Sequence, residues 1–323
     1  MRVIFLWVMF AQLINTAQAA WYSDQQNIMG TQVSVELWAQ EQALAEQAMS
    51  KVFEEMRRID VIMSPYKSDS ELSRINRQAA LQPQHLSDEL YALIDKALFY
   101  SRISEGAFDI SFAALGKLYQ YRSGDKPTEQ QRKSLQTKIN YRLLKLDPKQ
   151  RTLSFLKQGM AIDLGGIAKG HAVDNAIEIL KSLGIVAAVV SAGGDSRVIG
   201  DRGDKPWVMG IKHPRDSSKQ VVKIPLADTA LSTSGDYERF FIKDGVRYHH
   251  ILDPKSGSSA TSVQSVSILA PLAVDSDALS TTVFVLGVKR GLALVNRLPG
   301  IDAIIIDAEG RLHYSDGLLR AGQ

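Results

Sequence analysis

The chain has 323 residues, of which 45% are hydrophobic, with a formal charge of +3 and no cysteine. That apolar fraction belongs to a globular core and not to a disordered chain. The missing cysteines exclude disulfides and lipid attachment through a thiol, and the scattered Lys and Arg form no basic stripe for nucleic acid.

In chain order, the first residues have the form of an export leader: Arg2 gives a positive charge, Val3 to Phe10 an apolar run, and Ala17-Gln18-Ala19 a small-x-small cleavage site. The run is far shorter than the roughly 20 residues of a membrane span. Residues 1–19 are therefore expected to be a signal peptide, and residues 20–323 one domain, soluble in the periplasm. No later segment is expected to span a bilayer.

Thr31 to Trp38 alternates as a strand, and Glu41 to Met63 carries the stripe Leu44, Ala48, Val52, Met56 and Ile59 of a long helix. Ser64-Pro65 breaks it, Ser70-Glu71-Leu72 starts a short helical turn, and Ser87 caps a helix running to about Ser104 before Gly106. Ser123 to Lys138 is a polar surface excursion. Beyond it, short strands are expected at Tyr141 to Leu146, Thr152 to Leu156, Val186 to Ser191, Trp207 to Lys212 and Val263 to Leu269. Phe240 to Ile242 and Arg247 to Leu252 flank a hairpin turn at Lys243-Asp244-Gly245, and Ile301 to Ile306 begins a similar unit. Helices are expected at Asp275 to Leu286 and Lys289 to Leu298. The sum is an α+β fold, with helices packed on a largely antiparallel sheet.

The most informative run is Asp163-Leu164-Gly165-Gly166-Ile167-Ala168-Lys169-Gly170. It opens a helix whose apolar residues recur from Ile167 to Leu183, so a carboxylate, bare backbone and an ammonium meet at a helix N-terminus that would attract phosphate. Gly165 to Gly170 has Walker spacing, but His171 follows where Lys-Ser/Thr is required, and no G-x-G-x-x-G occurs. Downstream, Asp277 and Thr281 are four apart on one helix face. They either grip one hard cation, magnesium being the obvious oxygen-seeking choice, or belong to a helix start that Asp275 or Ser276 caps. His249 and His250 are adjacent on a strand and point to opposite faces, so at most one serves a site, and His250 is the candidate proton acceptor. Thr233 to Tyr237 is a turn of hydroxyls with no chemical role by itself. Met29, Tyr66 and Phe108 each sit beside a turn residue, where a flat heterocycle could stack or where core packing alone would place them.

These residues fall into an ordered set: Met29-Gly30-Thr31, Ser64-Pro65-Tyr66, Ser70 to Asn76, Gly106 to Ile110, Asp163 to Gly170, Ala192 to Asp195, Thr233 to Tyr237, His250 to Pro254 and Asp277 to Thr281. In that order they resemble the ApbE family, the FAD:protein FMN transferases, which implies a T-fold-related architecture. The resemblance implies an exported, magnesium-using enzyme that takes FAD as substrate and moves its FMN half to a threonine hydroxyl of a target protein, releasing AMP. Targets would be flavin-accepting subunits of membrane redox complexes, of the sodium-pumping NADH:quinone oxidoreductase or Rnf type. By motif, Met29, Tyr66, Ala107, Phe108, Asp109, Asp163, Lys169 and Ile251 would contact FAD. Gly166, Asp277 and Thr281 would hold magnesium, with Ser280 where some relatives place a second metal-facing aspartate. His250, or failing it Asp163, would take the acceptor proton. An FAD pyrophosphatase or a non-catalytic FAD-binding protein are the other functions such a site could serve.

Overall fold

The computed structural model describes residues 19–321, so the expected leader lies outside the described residues except for Ala19. An eight-stranded sheet organises the chain. Its strands are β1 (Ala20–Ile28), β2 (Thr31–Ala39), β3 (Ala188–Ala192), β4 (Asp195–Ile199), β5 (Ala230–Gly235), β6 (Val263–Ala270), β7 (Asp302–Asp307) and β8 (Leu312–Tyr314). They lie side by side in chain order, every neighbouring pair antiparallel, and the other elements are excursions between them.

The alternation of β2 puts Val33, Val35, Leu37 and Ala39 on the core face. There they meet α1 (Gln42–Met63), whose buried stripe includes Ala45, Ala48, Val52, Met56 and Ile59. The same excursion adds α2 (Glu71–Gln78), capped by Ser70, and α3 (Asp88–Ile103), capped by Ser87. It then returns through α4 (Ala168–Ser182), which packs on α1 and β3. The long α5 (Ala273–Val295) joins β6 to β7, lying against β5, β6 and α4. Opposite this helical layer, a hairpin of Trp207–His213 with Asp216–Leu226 covers the second sheet face, seating Trp207, Ile211, Ile224 and Leu226 on Val198, Leu231, Leu269 and Ile304.

Several expectations need correction. β1 was not anticipated, because Ser23 to Asn27 are polar and an edge strand exposed along its middle carries no alternation. The polar excursion holds a short helix, Glu129–Gln136, that buries nothing and rests on the Thr128–Gln131 capping box. Tyr141–Leu143 is a 3₁₀ turn, with the strand confined to Leu144–Asp147. The two helices expected after Asp275 are present, meeting within α5 at a kink where Gly287 adopts the non-helical φ 73° and ψ −179°. Taken across the kink, α5 has 23 residues and includes an 18-residue window of mean hydropathy 1.5, apolar enough to cross a bilayer by length and composition alone. Here it is packed between the sheet and α4.

Candidate active site

The site is built where α4 and α5 begin. Their starts come unusually close because position 170 is glycine: a Cβ there would stand 2.2 Å from the Ala273 carbonyl oxygen and 2.8 Å from the Asp277 Cβ. Contact this tight lets the Gly170 N–H donate to Asp277 Oδ2 at 3.0 Å. Neither Asp275 nor Ser276 caps α5. Asp174, on α4, does so from outside the helix, accepting from the Ala273 and Val274 N–H groups at 2.9 Å each while Arg197 Nη1 pairs with it at 2.9 Å. Asp275 instead accepts from the Tyr100 hydroxyl at 2.6 Å and pairs with Lys96.

Lys169 is the centre of charge. Its Nζ lies 2.7 Å from Asp195 Oδ2 and 3.4 Å from Asp277 Oδ2, and donates to the Gly165 carbonyl at 3.2 Å. Burial works against the ammonium, but Asp195 and Asp277 outweigh it and hold Lys169 protonated beyond the ordinary lysine range. Burial, reinforced by the charge of Asp195, pushes the Asp277 carboxyl upward. The start of α4 therefore receives a protein carboxylate where its sequence suggests phosphate.

Beyond Asp277 runs a seam of hydroxyls. Ser232 and Ser234 face α5 from alternate positions of β5, meeting Ser276 at 2.7 Å and Ser280 at 2.8 Å, one helical turn apart. Ser234 also reaches Thr281 Oγ1 at 3.3 Å, and Ser280 donates to the Asp277 carbonyl at 2.9 Å. Gly166 closes the group: a Cβ on it would sit 3.3 Å from both Thr281 Oγ1 and Phe108 Cε2, so any side chain would crowd this cradle. Asp163 stands at its edge, accepting from the Gly165 N–H at 2.6 Å. Burial raises its carboxyl, against the opposing pull of that bond and of Arg239 and Lys169.

The adjacent histidines divide as their alternation predicts. His249 is buried, its Nε2 bonded to the Ala260 carbonyl at 2.7 Å and its ring edge-on to Phe284. His250 is partly buried, yet its Nδ1 is sealed and has no hydrogen-bond partner. Burial first, then the charges of Arg239, His249 and Lys169, push its imidazole down to about 3, so the ring is neutral at neutral pH.

The structure gathers Asp163, Gly166, Lys169, Asp277, Ser280, Thr281 and Phe108 and puts His250 within their electrostatic reach. Other expected contacts are placed differently. The Asp109 carboxylate is spent inside the protein, accepting from the Ser111 N–H and hydroxyl and from the Tyr141 N–H. Ala107 and Ile251 are buried, whereas Tyr66 is 85% exposed. Met29 forms the β1–β2 turn with φ 55° and lines a cleft of about 590 Å³ shared with Gly30, Arg57, Asp60 and Lys67. Sequence reasoning gave no role to Asp195, Ser234, Asp174 or Arg239. Asp195 and Ser234 lay inside recognised motifs, so position was the available signal; Asp174 and Arg239 act across distances that local spacing does not encode.

An antiparallel sheet with one helical face, carrying a carboxylate and hydroxyl cradle between two helix starts, defines an α+β protein whose polar site lies where α4 and α5 begin. The profile of the ApbE family matches residues 29–305, and the chain belongs to that family. It is 34% identical to the FAD:protein FMN transferase of Treponema pallidum (strain Nichols), over 92% of this chain and 88% of that protein. With an FAD:protein FMN transferase of Klebsiella pneumoniae (strain 342) it shares 30% identity over 88% and 89% of the two chains. Among solved structures, the ApbE protein of Thermotoga maritima superposes with a TM-score of 0.86 at 34% identity, covering 93% of this chain and 99% of that one. The flavin transferase ApbE of Vibrio cholerae superposes at 0.84, with 28% identity and 94% and 99% coverage.

Proposed function

We propose that this chain transfers the FMN half of FAD to a threonine hydroxyl of a target protein and releases AMP. The observation that carries the reading is the oxygen-only cradle of Gly166, Asp277, Ser280 and Thr281 beside a neutral histidine whose Nδ1 has no partner. The cradle offers oxygen donors, which suit a hard cation that keeps water or phosphate oxygens, as magnesium does. Gly166, Asp277 and Thr281 would hold it, with Ser280 bonded beside them to Ser234. Bound there, the ion would neutralise charge on the diphosphate.

The threonine Oγ attacks the phosphorus on the FMN side, the bond from that phosphorus to the bridging oxygen breaks, and AMP departs with the oxygen. In this reading the His250 imidazole takes the hydroxyl proton, which needs a ring already neutral. Asp163 and Asp277 bound the side of the cleft where α4 starts. Export to the periplasm is supported by Arg2, the Val3 to Phe10 run and Ala17-Gln18-Ala19, and the sheet begins at Ala20, where cleavage would leave the chain. The likeness to the family favours flavin-accepting subunits of membrane redox complexes as targets.

The test is incubation of residues 20–323 with FAD, magnesium and a candidate acceptor domain. Acid-stable flavin fluorescence on the acceptor is expected, dependent on metal and diminished in Asp277→Ala. Free FMN and AMP with no labelled acceptor would replace transfer by hydrolysis, and FAD bound but intact would leave a carrier.

A further inference from the structure

A diphosphate entering this cleft brings two negative charges, and the cation that motif reasoning offers it, Lys169, is already held by two carboxylates. The neighbouring guanidinium groups are also engaged: Arg215 grips Asp236 through both nitrogens at 2.6 and 2.7 Å, and Arg247 lies against the same carboxylate. Lys67 pairs with Asp60, and Arg57 donates to Gln26. Arg239 differs. Its side chain is exposed, and among the described residues no carboxylate pairs with it.

Three contacts locate it. The His250 N–H donates to the Arg239 carbonyl at 3.1 Å, fixing its backbone directly beside the candidate base. Its Nη2 lies 3.5 Å from where a Gly30 Cβ would stand, so the guanidinium reaches across to the Met29–Gly30 turn. Its charge is also the foremost one felt by both Asp163 and His250, ahead of Lys169 in each case. Arg239 thus overhangs the cleft between the β1–β2 turn and the helix start, with its donors unspent.

We infer that Arg239 is the side chain that grips the diphosphate of the flavin dinucleotide, while Lys169 serves chiefly to hold Asp195 and Asp277 together. The inference rests on the reading that FAD is the substrate. A guanidinium suits the task, because its planar fork meets two phosphate oxygens at once and stays charged at any working pH.

The experiment titrates residues 20–323, wild type and Arg239→Gln, with FAD, FMN and riboflavin, following flavin fluorescence. Charge-assisted hydrogen bonds of this kind correspond to a loss of about 10- to 100-fold in FAD affinity. Riboflavin, which has no phosphate, should bind both proteins within about twofold. Arg239→Lys should recover part of the loss, since it restores charge without the fork. The inference falls if wild type binds FAD and Arg239→Gln binds it equally well, or if riboflavin affinity drops in parallel, which would mark a general distortion of the site. Wild-type protein that fails to bind FAD would instead overturn the substrate reading itself, and this inference with it.

Discussion

Replacing Gly170 by alanine sets two effects of opposite sign against each other. By helix propensity, alanine in the first turn of α4 should stabilise by at most about 1 kcal/mol. The structure opposes that gain, because the new methyl would lie 2.2 Å from the Ala273 carbonyl oxygen and 2.6 Å from its carbon, both backbone atoms. Ala273 cannot turn aside cheaply, since its own N–H and that of Val274 are fastened to Asp174 at 2.9 Å. The helices must separate, which costs about 1–3 kcal/mol as overpacking. Separation also stretches the Gly170 N–H bond to the Asp277 carboxylate, a charge-assisted contact worth about 1.5–3 kcal/mol. The expected balance is a net destabilisation of about 2–4 kcal/mol. Urea unfolding of the two proteins, with slopes compared to check that the unfolded states match, measures it directly. A Gly170→Ala protein as stable as wild type would show that α4 and α5 can part freely, and the argument for a rigid cradle would fail.

Asp174→Ala removes the cap of α5 and leaves Arg197, 8% exposed, without its main partner, so a loss of about 3–5 kcal/mol is expected in equilibrium unfolding; a loss below about 1 kcal/mol would mean that water replaces the carboxylate. His250→Ala should lower transfer by about 10²–10⁴-fold while FAD affinity is kept, and unchanged turnover would remove the imidazole from the reaction. Because burial depresses His250 to about 3, the unfolded chain binds its proton first as pH falls. Its contribution to stability is therefore full above the unfolded value of about 6.5 and is lost progressively down to about 3, and His250→Gln should flatten that slope in pH-dependent unfolding. A steeper slope in the variant would contradict the burial assigned to the ring.

Much of this fold is written in local pattern. The stripe from Leu44 to Ile59 and the caps at Ser70 and Ser87 become α1, α2 and α3 because periodicity and capping act within a few residues of one another. β1 and the helix at Glu129–Gln136 escaped because β1 is polar and exposed through its middle, the helix is mostly exposed, and neither buries a patterned face. The start of α5 was misplaced by two residues for a related reason: its cap is Asp174, a hundred residues earlier in the chain than Val274. A capping rule that looks only at adjacent side chains selects Asp275, which the fold uses to bind Tyr100 and Lys96.

The site repeats this division between type and partner. Position alone singled out Asp163, Gly166, Lys169, Asp277 and Thr281, and each lies where two helix starts converge. What position could not supply was how their charges are shared. Lys169 reads as a phosphate-seeking ammonium until Asp195, brought in at the start of β4, comes within 2.7 Å of it. Arg239 reads as one more surface cation until its carbonyl is tied to His250 and its guanidinium reaches Gly30. Coulomb energies depend on separation in space and on exposure to water, and neither follows from spacing along the chain. Moving the phosphate-gripping role from Lys169 to Arg239 requires no change in sequence; it follows from which of them the fold leaves without a carboxylate.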